Sequence, residues 1–83
     1  MNWKEIVENT MKHFINMGKT AVSIGEIKLY LLTNYNIRSL NYTHIERNIL
    51  RNFVETAELL GFGRYDASKS IFYLNTEVNK NEK

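Results

Sequence analysis

The chain has 83 residues, 11 Lys and Arg against 9 Asp and Glu, and a net charge of +2, enough for one small domain. It contains no cysteine and no proline, which excludes disulfides and thiolate metal sites and leaves helices free of forced breaks. A core this small commonly needs a staple, and with disulfides excluded a partner subunit is the one left, so a homodimer is expected. No apolar run approaches a membrane span and the first residues carry no signal-peptide pattern, so a soluble cytoplasmic protein is expected.

In chain order, Asn2 to Met17 places Trp3, Ile6, Val7, Met11, Phe14 and Ile15 at helical spacing, with Gly18 as a stop. Trp3, Met11 and Phe14 could be core or half of a dimer interface, and the interface is expected of them because the domain is small. Thr20-Ala21-Val22 reads as a short extended piece. Ser23-Ile24-Gly25-Glu26 has capping-box spacing and opens a second helix through about Thr33. Ile24, Ile27, Tyr30 and Leu31 line one face of it, and Leu29 with Leu32 widen the face, which predicts a helix buried between other elements. Tyr35 to Asn41 is rich in turn-forming side chains and reads as a loop.

A third helix is predicted from Tyr42 to Leu60, with Thr43 or Asn41 as its cap. Tyr42, Ile45, Ile49, Phe53, Ala57 and Leu60 form the expected inward stripe, flanked by Leu50 and Val54. The opposite side divides by charge. Thr43, His44, Arg47, Asn48 and Arg51 occupy its first half, and Glu55 and Glu58 its second. Gly61 stops the helix. GFGRY and SIFYLN then flank the polar tip Asp66-Ala67-Ser68-Lys69 as a hairpin, with Phe62, Ile71 and Tyr73 or their neighbours as its anchors. The expected domain is 1–75, and Thr76 to Lys83 reads as a disordered charged tail.

Positive charge therefore concentrates in two places. Asn36 to Asn52 holds Arg38, Arg47 and Arg51 against Glu46 alone, and the hairpin adds Arg64 and Lys69 against Asp66. Catalysis has little to work with. The chain has a single aspartate, no cysteine, and two histidines, His13 and His44, on different predicted helices. No phosphate-binding glycine loop and no nucleophile–base motif are present, so no enzymatic activity, cofactor or metal is expected.

Helix, short strand, helix, loop, helix, hairpin is the element order of a winged helix-turn-helix, and from about Val22 to Asn75 the chain resembles that DNA-binding superfamily. The segment LLGFGRYDASKSIFYLN carries the likeness most clearly: a helix stopped at a glycine, an apolar strand, a basic tip and an aromatic-rich return strand. The third helix is about a turn longer, and the loop before it longer, than in the commonest bacterial versions. The resemblance implies an α+β fold of three helices with a small antiparallel sheet, in which Thr20-Ala21-Val22 pairs with the hairpin.

It also implies that the third helix enters the DNA major groove by its N-terminal half while the wing tip meets the backbone. Carried over, the DNA-binding residues would be Arg38, Thr43, His44, Arg47, Asn48, Arg51, Arg64, Ser68 and Lys69. Arginine offers a fork that matches the two acceptors of guanine, and asparagine can pair twice with adenine. The implied function is a small sequence-specific double-stranded DNA-binding protein, a dimeric transcriptional regulator of a kind that would suit a virus or plasmid. The alternatives are a partition or replication accessory DNA-binding protein and a winged-helix protein-interaction module.

Overall fold

A computed structural model describes residues 2–37 and 43–75, with positions 43 and 44 described by their backbone alone. Helix α1 (Trp3–Asn16) starts where Asn2 accepts a hydrogen bond from the Glu5 amide at 2.8 Å. Strand β1 (Ala21–Ser23) leads directly into α2 (Ile24–Tyr35). The expected capping box is present: Ser23 Oγ accepts from the Glu26 amide at 3.1 Å, and Glu26 Oε2 accepts from the Ser23 amide at 2.8 Å. Helix α2 runs two residues beyond Thr33 and ends at Asn36, whose backbone is left-handed (φ 51°, ψ 46°), a conformation asparagine tolerates better than most residues.

Helix α3 (Thr43–Leu59) is followed by strands β2 (Gly63–Asp66) and β3 (Ile71–Leu74). All pairing is antiparallel and the strand order is β1-β3-β2. The return strand is thus central, with Val22 and Tyr65 on either side of Phe72. Two backbone bonds extend the pairing at the ends of β1, Leu74 N to Thr20 O at 2.8 Å and Ile24 N to Ser70 O at 3.0 Å. The second of these fastens the first residue of α2 to the hairpin loop. Three helices and a small antiparallel sheet make an α+β fold, with the element and strand order that a winged helix requires.

The core is built from Val7, Met11 and Phe14 of α1, Val22, Ile27 and Leu31, then Leu50, Phe53, Val54 and Ala57 of α3, and Phe72 and Leu74 of β3. The one buried polar side chain in the described part, Thr10, is satisfied by donating to the Ile6 carbonyl at 2.7 Å. This distribution corrects expectations for α1, α2 and α3. Met11 and Phe14 are buried inside their own chain, because α1 lies against both α2 and α3, so neither is available to a dimer interface. Trp3 is only half-buried, but its Nε1 donates to Asn52 Oδ1 at 2.6 Å and its ring meets Phe53 edge-on at 5.9 Å, so it ties α1 to α3.

The inward face of α3 is rotated from the expected stripe. Leu50 and Val54 are core residues, Ile49 is half-buried and Ile45 is 37% exposed. The helix packs against α1 on one side and β2 on the other, and the centre of its apolar arc falls between those contacts. Leu29 is 65% exposed and so does not help bury α2. In β3 the inward residues are Phe72 and Leu74, while Ile71 is half-buried and Tyr73 points to the outer face. Arg38, Asn41, Tyr42 and the tail at 76–83 lie outside the described residues.

Candidate nucleic-acid interface

The exposed side of α3 is a consequence of its packed side. With Leu50, Phe53, Val54 and Ala57 fixed in the core, about 100° of rotation per residue brings Arg47, Arg51, Glu55 and Glu58 out together within about 80° of arc. All four are exposed. They line a groove of about 540 Å³ between α3 and the hairpin, with Leu50, Val54 and Ile24 beneath and Tyr65 and Ala67 opposite.

Charge along this arc changes sign within one turn. Arg47 and Arg51 are one turn apart and form no ion pair among the described residues. Glu46, at the same end, is taken up by Lys28 of α2 at 3.0 Å. At the other end Glu58 Oε2 accepts from the Tyr65 amide at 2.9 Å. That amide belongs to β2, the sheet's edge, and points away from β3, so Glu58 satisfies a donor the ladder leaves open. Glu55 has no such partner among the described residues.

The hairpin tip is organised by Asp66. Its Oδ1 accepts from the Ser68 hydroxyl at 2.6 Å, the Ser68 amide at 3.0 Å and the Lys69 amide at 3.4 Å. The Ser68 hydroxyl bond is the foremost reason the Asp66 carboxyl sits below its ordinary value, with the two amides adding to it. Ser70 closes the loop in a left-handed conformation (φ 56°). Lys69 is exposed at this tip.

Of the sequence-predicted residues, the fold brings Arg47 and Arg51 to one groove, whereas Asn48, also exposed on α3, lines a separate hollow with Trp3, Ile37, Ile49 and Asn52. Arg64 is not part of this set. It pairs across the ladder with Tyr73 on the outer face of the sheet, while Tyr65 and Phe72 take the inner face toward α3. The Ser68 hydroxyl donates to Asp66, so it can donate to a phosphate only by giving up that bond. Arg38 and the side chains of Thr43 and His44 lie outside the described residues.

Sequence reasoning missed Tyr65, Ala67 and Ile24 as groove walls, and it missed the Lys28–Glu46 and Glu58–Tyr65 contacts. These join residues far apart in the chain and leave no local signal. The Asp66-x-Ser68 spacing of an Asx turn was available and could have been read.

No family model, curated protein or solved structure matches this chain. Among the described residues, no three His, Asp or Glu side chains come together in a way that could hold a metal ion, and no helix is long and apolar enough to cross a membrane.

Proposed function

We propose that this chain binds double-stranded DNA, with the N-terminal half of α3 in the major groove and the hairpin tip against the phosphate backbone. The observation that carries the reading is the pair Arg47 and Arg51: exposed, one turn apart, without an ion pair among the described residues, on a helix whose adjoining face is locked into the core. A rigid helix presenting two guanidinium forks unpaired among the described residues suits the paired acceptors of guanine, and Asn48, exposed further round the same helix, suits adenine. Lys69 on its Asp66-braced turn supplies a point charge for a phosphate. A protein of this kind acts by occupying an operator and excluding others from it. If it does so as a homodimer, the contact uses a surface other than Met11 and Phe14.

The test is binding to a pool of duplexes across a salt series, for the wild-type chain and for Arg47→Ala/Arg51→Ala. Wild type is expected to bind with affinity falling steeply on a logarithmic salt scale. The double variant should keep its fold and lose both affinity and sequence preference. Unchanged duplex affinity in a folded double variant would remove α3 from the interface. The apolar floor of the groove and its acidic far end support a second reading, a protein-interaction module. Absence of binding to any duplex at low salt would favour it.

A further inference from the structure

The acidic end of α3 contains two carboxylates that differ in what they do for the fold. Glu58 holds the Tyr65 amide and so restrains the edge strand. Glu55 is exposed, lines the groove one turn beyond Arg51, and makes no hydrogen bond or ion pair among the described residues. A pairing with Arg51 four residues earlier would have the arginine N-terminal to the glutamate, the weaker orientation on a helix. Among the described residues no contact accounts for a negative charge at this position.

A charge there does have an effect on a polyanion. Binding to arbitrary duplex is driven by phosphate neutralisation and gains from every posture that brings more of a basic helix near the backbone. A fixed carboxylate one turn past Arg51 penalises the postures in which the C-terminal half of α3 approaches phosphates. The posture led by Arg47, Asn48 and Arg51 is affected less, because the helix then enters by its other end. Discrimination against wrong targets is commonly built from such a repulsive group.

We infer that Glu55 is a specificity-determining residue of the proposed DNA interface: it marks the end of the footprint on α3 and lowers affinity for arbitrary duplex. This rests on the DNA-binding reading above. A unit charge about 7 Å from a phosphate in water alters binding about threefold, and salt screens the effect.

The experiment compares the full chain with E55Q, E55K and E8Q, the last removing the same charge from α1 away from the groove. Two duplexes serve as probes, one of random sequence and one isolated by the wild-type chain from a random pool. Anisotropy is read from about 50 to 200 mM salt, a range over which phosphate-driven binding changes strongly. E55Q should tighten random-duplex binding about threefold at low salt, E55K should tighten it further, and the preference for the isolated duplex should fall in that order. The gain should shrink as salt rises, and E8Q should produce less than half of it. If wild type binds duplex but E55Q and E55K leave the random-duplex affinity unchanged, or E8Q matches E55Q, Glu55 has no such role. If wild type binds no duplex at low salt, the DNA reading itself fails and this inference goes with it.

Discussion

The pairing of β2 with β3 depends on one missing side chain. Gly63 sits at φ 152°, outside the range L-residues adopt comfortably, and a Cβ built on it would fall onto the carbonyl oxygen of Tyr73. The same Cβ would lie 2.8 Å from Phe72 Cε1. The first obstacle is backbone of the central strand and the second is a fully buried core ring, so neither can swing aside. Gly63→Ala must therefore separate the base of the hairpin. That forfeits about two ladder hydrogen bonds at about 1 kcal/mol each. It also disturbs Phe72, whose full burial is worth about 2–3 kcal/mol.

The expected loss is roughly 3–5 kcal/mol, against a total of about 4–12 kcal/mol for a chain of this length. At about 4–8 °C per kcal/mol, thermal unfolding followed by circular dichroism should fall by at least about 12 °C, or the variant should be unfolded at room temperature. Gly25→Ala is the matched control. Its Cβ would meet nothing nearer than Ser23 Oγ at 3.8 Å, and its position in the first turn of α2 predicts a gain of about 0.5–1 kcal/mol. A Gly63→Ala melt within about 1 kcal/mol of wild type would show that the hairpin base is not packed as described.

Two further outcomes follow from the caps and the loop. The Lys19 ammonium, 2.6 Å from Glu26 Oε1, is the main reason the Glu26 carboxyl lies below its ordinary value of 4.5, with the Ser23 amide next. A depressed folded-state value means the contribution is present above pH 4.5 and lost as pH falls through the folded value. Urea midpoints measured downward from neutral pH should decline in that acid range, and Lys19→Gln should make the decline shallower; an unchanged slope would deny the linkage. Ser70→Gly places glycine where the backbone is already left-handed (φ 56°) and should raise stability by about 0.5–1 kcal/mol, read as a higher urea midpoint at constant slope.

The features legible in the sequence were those written in local chemistry. Ser23 and Glu26 at capping-box spacing, the stops at Gly18 and Gly61, and the polar tip between two apolar strings each specify an element without reference to anything distant. The partner of the short strand before α2 followed from the resemblance rather than from these local signals. What stayed hidden was which side of each element faces inward when more than one side is apolar. SIFYLN offers four consecutive apolar residues, so either alternate pair could be buried; only the register against Val22 and Tyr65 selects Phe72 and Leu74. Helix α3 carries apolar residues around more than half its circumference, and the choice of Leu50 and Val54 over Ile45 comes from where α1 and β2 lie. Met11 and Phe14 have the spacing of an interface and of a core alike, and the sheltering by α2 and α3 that decides between them is tertiary. Within the candidate site, the arginines were readable because helical periodicity alone exposes them. The outward turn of Arg64 was not, because it depends on strand register.

The same register explains how so short a chain can hold a hairpin tip at a defined distance from α3. A free two-stranded ribbon is marginal in water. Here it is restrained at three separate points: by β1 along the whole length of β3, by Ile24 N on the Ser70 carbonyl, and by Glu58 on the Tyr65 amide. The first two act on the central strand and the loop, the third on the edge strand, so the ribbon can neither slide along the sheet nor swing from α3 without breaking a bond. Lys69 is then carried on a turn fixed by Asp66, and Arg47 and Arg51 on a helix fixed by the core. Their separation is set by the fold rather than by side-chain choice. A surface reading a regular polymer such as a duplex requires that kind of fixed spacing, because its charges must meet phosphates and bases at repeating distances. Glu58 lines the same groove as the arginines and keeps β2 beside α3 through the Tyr65 amide, while Glu55, one turn earlier, has no hydrogen-bond or ion-pair partner among the described residues and is held by no such contact.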